Sequence, residues 1–122
     1  NLTMLFIAHD LSVVNYLCDQ VAVMYLGRLM EVGPVTDVHR ASGHPYTRAL
    51  NSAIPLPDPR APRDRVALQG DIPSPLSPPS GCVFRTRCAF AEESCARGTP
   101  EAHALAPDHL TYCKIPEVRH VQ

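Results

Sequence analysis

The sequence predicts an α/β fold of strands with packing helices, followed by a mostly irregular extension rich in proline and cysteine. Three observations carry that expectation. Met4-Leu5-Phe6-Ile7-Ala8 is an uninterrupted apolar run closed by His9 and Asp10, the pattern of a strand buried on both faces of a sheet. Apolar residues at helical spacing follow it at once. Most of the thirteen prolines then crowd between Pro55 and Pro79, ahead of a block of four cysteines.

Taken in order, Asp10 is placed to cap a helix over Leu11 to Cys18, with Leu11, Val14, Leu17 and Cys18 on one face that packs on the sheet. Val21 to Tyr25 reads as a strand. Leu26-Gly27-Arg28 reads as a tight turn in which Gly27 takes the unusual backbone angle, and Leu29 to Val32 as the hairpin partner. Gly33-Pro34 ends that strand. Thr36 or Asp37 starts a short helix through Arg40, and Pro45 or Tyr46 a second through Ala53, because proline fits the first helical turn. Ile54 to Pro62 is an extended connector, Val66 to Leu68 a short strand, and Ile72 to Gly81 an irregular or polyproline-like loop. One or two helical turns are expected between Ala89 and Cys95. The organisation is thus an α/β piece over 1–54, a proline-rich linker over 55–81 and a cysteine-bearing extension over 82–122.

Size and charge narrow the function. A chain of 122 residues holds one modest core or two small pieces, which excludes a large enzyme core. Eleven basic against twelve acidic residues give no field that would draw nucleic acid or an anionic membrane. The apolar runs fall far short of the roughly 20 residues that span a bilayer. Asn1-Leu2-Thr3 has neither an initiator methionine nor the regions of a signal peptide, so the expectation is a cut inside a larger protein. Five cysteines without such a signal point to a reducing compartment, where grouped thiols bind metal or act in catalysis more often than they form structural disulfides.

His9 closes the first apolar run, where ligands of α/β sheets bind. A neutral imidazole there can donate one hydrogen bond to a phosphate oxygen while its other nitrogen is held by the protein. The same residue also reads as a plain strand or helix cap. Phe6-Ile7-Ala8-His9-Asp10-Leu11 resembles the switch-histidine motif of the ABC-transporter ATPases. Val21-Ala22-Val23-Met24-Tyr25-Leu26-Gly27-Arg28, Gly43-His44-Pro45-Tyr46-Thr47 and the late cysteines are similar to the oligopeptide/dipeptide-importer branch of that family. The resemblance implies the C-terminal piece of an ABC-type nucleotide-binding domain, with His9 touching the γ-phosphate of ATP as two such domains close. Phosphoryl transfer also needs a glycine-rich cradle with its lysine, a magnesium-holding aspartate and a residue that orients water. No G-x-x-x-x-G-K-[ST] occurs in the chain, so these 122 residues alone should not hydrolyse ATP.

Cys82, Cys88, Cys95 and Cys113 are spaced C-x5-C-x6-C-x17-C. Zinc ribbons and knuckles hold their ion through close C-x2-4-C pairs, and that spacing is missing. Wider loops suit a larger cubane, but zinc, unligated thiols and disulfides stay open on spacing alone. The importer resemblance implies a four-iron four-sulfur cluster on these four cysteines. Arg85 and Arg87 either offset its charge or are ordinary exposed arginines, and His103 and His109 are substitute ligands in principle but read first as surface or hydrogen-bonding histidines. Cys18 reads as a small buried hydrophobe. Gly43 to Thr47 reads as a turn and helix start anchored by the Tyr46 ring.

For the whole protein the resemblance implies ATP and magnesium as cofactors and a peripheral place on the cytoplasmic face of the membrane. The implied partners are a second ATPase subunit, membrane permeases and, through them, an extracytoplasmic peptide-binding protein. A reading of a different class is an independent iron-sulfur or zinc module with a structural or redox role. The first strand should also leave apolar surface and an unpaired edge exposed, which predicts self-association.

Overall fold

The computed structural model describes residues 1–62 and 65–114, so the last eight residues of the expected extension lie outside the described ones. In chain order it contains α1 (Leu11–Leu17), β1 (Gln20–Tyr25), β2 (Arg28–Pro34), α2 (Val35–Arg40), α3 (Pro45–Ser52), β3 (His103–Ala106) and β4 (His109–Thr111). Two short 3₁₀ turns, Arg85–Arg87 and Glu93–Ala96, lie between α3 and β3. The strands form one antiparallel sheet in the order β1-β2-β4-β3.

The expected strand over Met4–Ala8 is absent from that sheet. Residues 1–8 have no regular structure, and Leu2, Met4, Leu5 and Ile7 are exposed, Leu5 at 92%. A strand exists only where a neighbour takes up its N–H and C=O groups, and the sheet offers this segment none. α1 forms where expected, with Asp10 Oδ1 accepting from the Ser12 amide at 2.8 Å. That amide holds the Asp10 carboxyl below its ordinary range. The helix rests mainly on α2 instead of lying across the sheet. Only Val14 is buried, and Leu17, expected on the packed face, is exposed.

The β1–β2 hairpin turns on two residues, Leu26 and Gly27, both with positive φ at 46° and 74°. Such a turn matches the twist of the flanking strands, but the expected glycine is joined by a leucine in the left-handed region. The register slips where Val23 faces Glu31 and Met24 faces Leu29, leaving Met30 as the extra residue of a bulge. The bulge breaks the alternation of β2, so that Met30 and Glu31 are both buried in succession.

β4 pairs with β2 through Glu31 and Val32, and the Tyr112 amide donates to the Met30 carbonyl at 2.9 Å. β3 and β4 were not expected from the sequence, because His103-Ala104-Leu105-Ala106 and His109-Leu110-Thr111 carry little β-branched or aromatic character. The expected strand over Val66–Leu68 does not form. Within Ala89–Cys95 the helical character is confined to the 3₁₀ turn that begins at Glu93.

The core gathers Val23 and Tyr25 of β1, Met30 of β2 and Val38 of α2 with Cys82, Val83, Phe84 and Cys95. Phe84, 1% exposed, sits among three rings. Tyr25 meets it edge-on at 5.3 Å between centroids, and Tyr46 and His44 lie at 5.2 and 5.7 Å. Edge-on and tilted rings at these distances are the favoured aromatic geometry. The residues just after the proline-rich stretch are therefore fixed against the hairpin by aromatic burial.

Candidate functional site

Three structural devices are linked through the Gly43-His44 turn, and the first is Glu31. Its side chain is fully buried and accepts from the Gly43 amide at 2.8 Å and the His44 amide at 3.0 Å. His109 Nε2 of β4 lies 2.6 Å from the same carboxylate, and because an ionised carboxylate only accepts, the ring is the donor. A charge withdrawn from water demands this many partners. Glu31 thereby ties together β2, β4 and the Gly43-His44 turn. Gly43 has no room for a side chain, since a Cβ there would overlap Leu105.

The second device is His44, the N-cap of α3. Its Nδ1 accepts from the Tyr46 amide at 3.1 Å, and Pro45 occupies the first helical turn. The sequence placed a turn and helix start here; the histidine as the cap itself was missed, because Ser, Thr, Asp and Asn dominate that position. His44 is fully buried, and burial pushes its pKa down to about 4. The ring is therefore neutral at physiological pH. Its Nε2 is buried without a hydrogen-bond partner among the described residues.

The third device is a small cavity lined by Cys82, Cys88, Cys95 and Cys113 together with His44, Phe84 and Phe90. Arg85 and Lys114 also border it. All four expected cysteines are thus brought to one space from three separate stretches of chain. Cys82 and Cys95 are also joined by backbone, the Cys82 amide donating to the Cys95 carbonyl at 2.8 Å. No disulfide forms among the described residues, nor do three His, Cys, Asp or Glu side chains there come close enough to grip a single metal ion. Burial pushes the Cys82 and Cys88 thiols up, the opposite of what a nucleophilic cysteine needs.

The other expected residues are dispersed. His9 is exposed, between the apolar N-terminal segment and α1. Cys18 is half-buried at the end of α1 and does not line the cavity. His109 is the hydrogen-bonding histidine of the expected alternatives: it is buried, held by Glu31, and does not line the thiol cavity. His103 is exposed on β3. Arg85 donates to the Ser80 carbonyl at 2.8 Å and Arg87 to the Gln69 carbonyl at 3.3 Å, so only Arg85 of that pair faces the thiols.

The described residues thus form an antiparallel α/β unit whose four grouped thiols line one cavity beside a capped His-Pro-Tyr turn. Its sequence matches the family described as oligopeptide/dipeptide transporter, C-terminal region, over residues 30–95. That is more than half of the chain, and the chain belongs to this family. It is 57% identical over 112 residues to a Brucella ovis protein named as a peptide import ATP-binding protein, covering 92% of this chain and 35% of that protein. The oligopeptide transport ATP-binding protein OppF of Haemophilus influenzae is 50% identical over 114 residues, covering 92% of this chain and 34% of its own length. OppF of Escherichia coli is 52% identical over 101 residues, covering 81% and 30%. The chain spans about a third of the length of these curated relatives. Among the described residues no helix is long and apolar enough to cross a membrane.

Proposed function

We propose that this chain is the C-terminal part of the ATP-binding subunit of a peptide importer, and that it contributes two things: His9 as the γ-phosphate sensor and a four-cysteine site for an iron-sulfur cluster. The observation that carries the reading is the family match, which runs from the hairpin through the His-Pro-Tyr turn to Cys95. The relatives named for peptide import or oligopeptide transport extend it to 92% of the chain. In the assembled importer the partners are a second ATPase subunit, membrane permeases and a peptide-binding protein outside the membrane. ATP and magnesium serve the subunit on its cytoplasmic face.

His9 is suited to a sensing role by its exposure and by the Asp10 cap that fixes the backbone immediately after it. The exposed apolar segment before it has the composition of a strand that would complete a sheet built from other parts of the subunit. Closure around ATP would bring the imidazole to the terminal phosphate, and product release would reopen the pair. In the assembled importer, His9→Ala is expected to lower the rate of ATP hydrolysis by about 10²-fold, the range for losing one group that stabilises developing charge. The unfolding midpoint should stay where it is, since the side chain is exposed. Hydrolysis at the unaltered rate would remove the phosphate role.

Cys82, Cys88, Cys95 and Cys113 are the residues that would hold the cluster. Two observations support the fit: the four side chains line one cavity, and the cationic Arg85 and Lys114 border it. A cluster with four thiolate ligands is anionic, and neighbouring cations and hydrogen-bond donors stabilise it. When bound, such a cluster supplies a covalent cross-link between the three stretches of chain and a one-electron redox centre.

A further inference from the structure

We infer that His44 donates a hydrogen bond through its Nε2–H to the group held by Cys82, Cys88, Cys95 and Cys113, and so positions and tunes it. The inference rests on the cluster reading above and goes beyond it, because it adds a residue outside the cysteine block. The Tyr46 amide donates to His44 Nδ1 at 3.1 Å. A backbone amide has a proton to give and no lone pair with which to accept, so Nδ1 carries no hydrogen. In the neutral ring the hydrogen is then on Nε2.

That donor is conspicuous because it is spent on nothing among the described residues. Nε2 is buried with no hydrogen-bond partner, although a buried donor left unsatisfied costs about 1–3 kcal/mol. Phe84, the ring packed on His44 at 5.7 Å, supplies no polar acceptor. What His44 does share is the wall of the thiol cavity. Thiolate and bridging sulfurs are hydrogen-bond acceptors, and a donor aimed at them shifts charge off the cluster and favours its reduced form.

The residue is also held at three points, two on its backbone and one on its ring, as a positioning residue must be. Its own amide donates to Glu31 at 3.0 Å, its carbonyl accepts from the Arg48 amide at 3.1 Å, and Nδ1 is fixed by the Tyr46 amide. Pro45 fixes the backbone that follows. His44 therefore couples the start of α3 to the cavity through the two nitrogens of one ring.

Two substitutions separate the two nitrogens. In His44→Asn the side-chain oxygen can stand where Nδ1 stands and keep the cap, but nothing reaches as far as Nε2. In His44→Gln the terminal amide reaches the Nε2 position and the cap is lost. The protein is purified anaerobically, and iron, acid-labile sulfide, the cluster's midpoint potential and the unfolding midpoint are measured for each form. In His44→Asn the cluster is expected to remain while its reduction equilibrium becomes about tenfold less favourable, about 59 mV for one electron. His44→Gln is expected to keep a potential close to the unaltered protein and to unfold more easily. With ¹⁵N-histidine labelling, pulsed paramagnetic resonance of the reduced cluster should show one nitrogen coupling and an exchangeable proton, both lost in His44→Asn. A cluster-bearing His44→Asn protein with unchanged potential and no such coupling to lose overturns the inference, as does an equal drop in both variants. A protein with no iron and no sulfide fails at the cluster reading itself and takes the inference with it.

Discussion

Glu31→Ala is expected to cost the protein about 3–5 kcal/mol, the range for removing one partner of a buried charged pair. Three donors lose their acceptor at once, namely the amides of Gly43 and His44 and the Nε2 of His109. All three lie where water cannot replace it, because Glu31 is 0% and His109 2% exposed. For a small domain whose total stability lies in the range of about 5–15 kcal/mol, that loss removes a large share of the folded population. Glu31→Gln should fall between. One amide oxygen can still accept from two of the donors, but its NH2 then faces the third, so the cost is about 1–3 kcal/mol. The double variant Glu31→Ala/His109→Ala should lose less than the sum of the single variants, because the second substitution removes a donor already stranded by the first. Urea unfolding of the unaltered protein, Glu31→Ala, His109→Ala and the double variant measures this directly. Additive losses would mean that β4 is not held to β2 by this pair.

Gly81→Ala should come next in effect and should act on the cysteine site. Gly81 has φ of +69°, and a Cβ there would run into the Cys95 carbonyl oxygen and lie 2.7 Å from the Ala96 carbonyl carbon. Both are backbone atoms and cannot swing aside. The left-handed conformation alone costs a non-glycine residue about 1–2 kcal/mol. The clash adds to this by forcing apart the segments joined by the 2.8 Å Cys82-to-Cys95 hydrogen bond. Gly27→Ala is the matched control, with φ of +74° and nothing within 4 Å of its added carbon. It should show the conformational cost only. Thermal unfolding and metal content of both variants are therefore expected to diverge, with Gly81→Ala less stable and poorer in metal. Equal losses in the two would show that Gly81 is needed for its backbone angle and not for the close approach.

Local signals in the sequence were read well and non-local ones poorly, for physical reasons visible at particular residues. The helix capped by Asp10, the β1–β2 hairpin with Gly27, and the helix opening at Pro45 are each specified within a few neighbouring residues. Met4–Ala8 has the composition of a buried strand, but composition does not supply a pairing partner, and the segment lies exposed outside the sheet. Glu31 is not legible from its neighbours, because its burial depends on a bulge at Met30 and on a strand 78 positions away. The available signal was a lone carboxylate inside Leu29-Met30-Glu31-Val32, an apolar stretch that tolerates a charge only if something pairs with it. The four cysteines were legible as a group by type, and they share one cavity. His44 was legible only as part of a turn, since its role as cap depends on which ring nitrogen meets the Tyr46 amide.

The claim on which the functional account turns is that Cys82, Cys88, Cys95 and Cys113 jointly hold an iron-sulfur cluster. Iron and acid-labile sulfide should therefore be quantified in anaerobically purified protein, alongside single serine variants of all five cysteines. The account predicts about four irons and four sulfides per chain with brown visible absorbance, lost or strongly reduced in each of the four cavity variants and kept in Cys18→Ser. Well-folded, colourless protein that carries zinc or no metal, or a cluster that survives when the cavity cysteines are replaced, would contradict it.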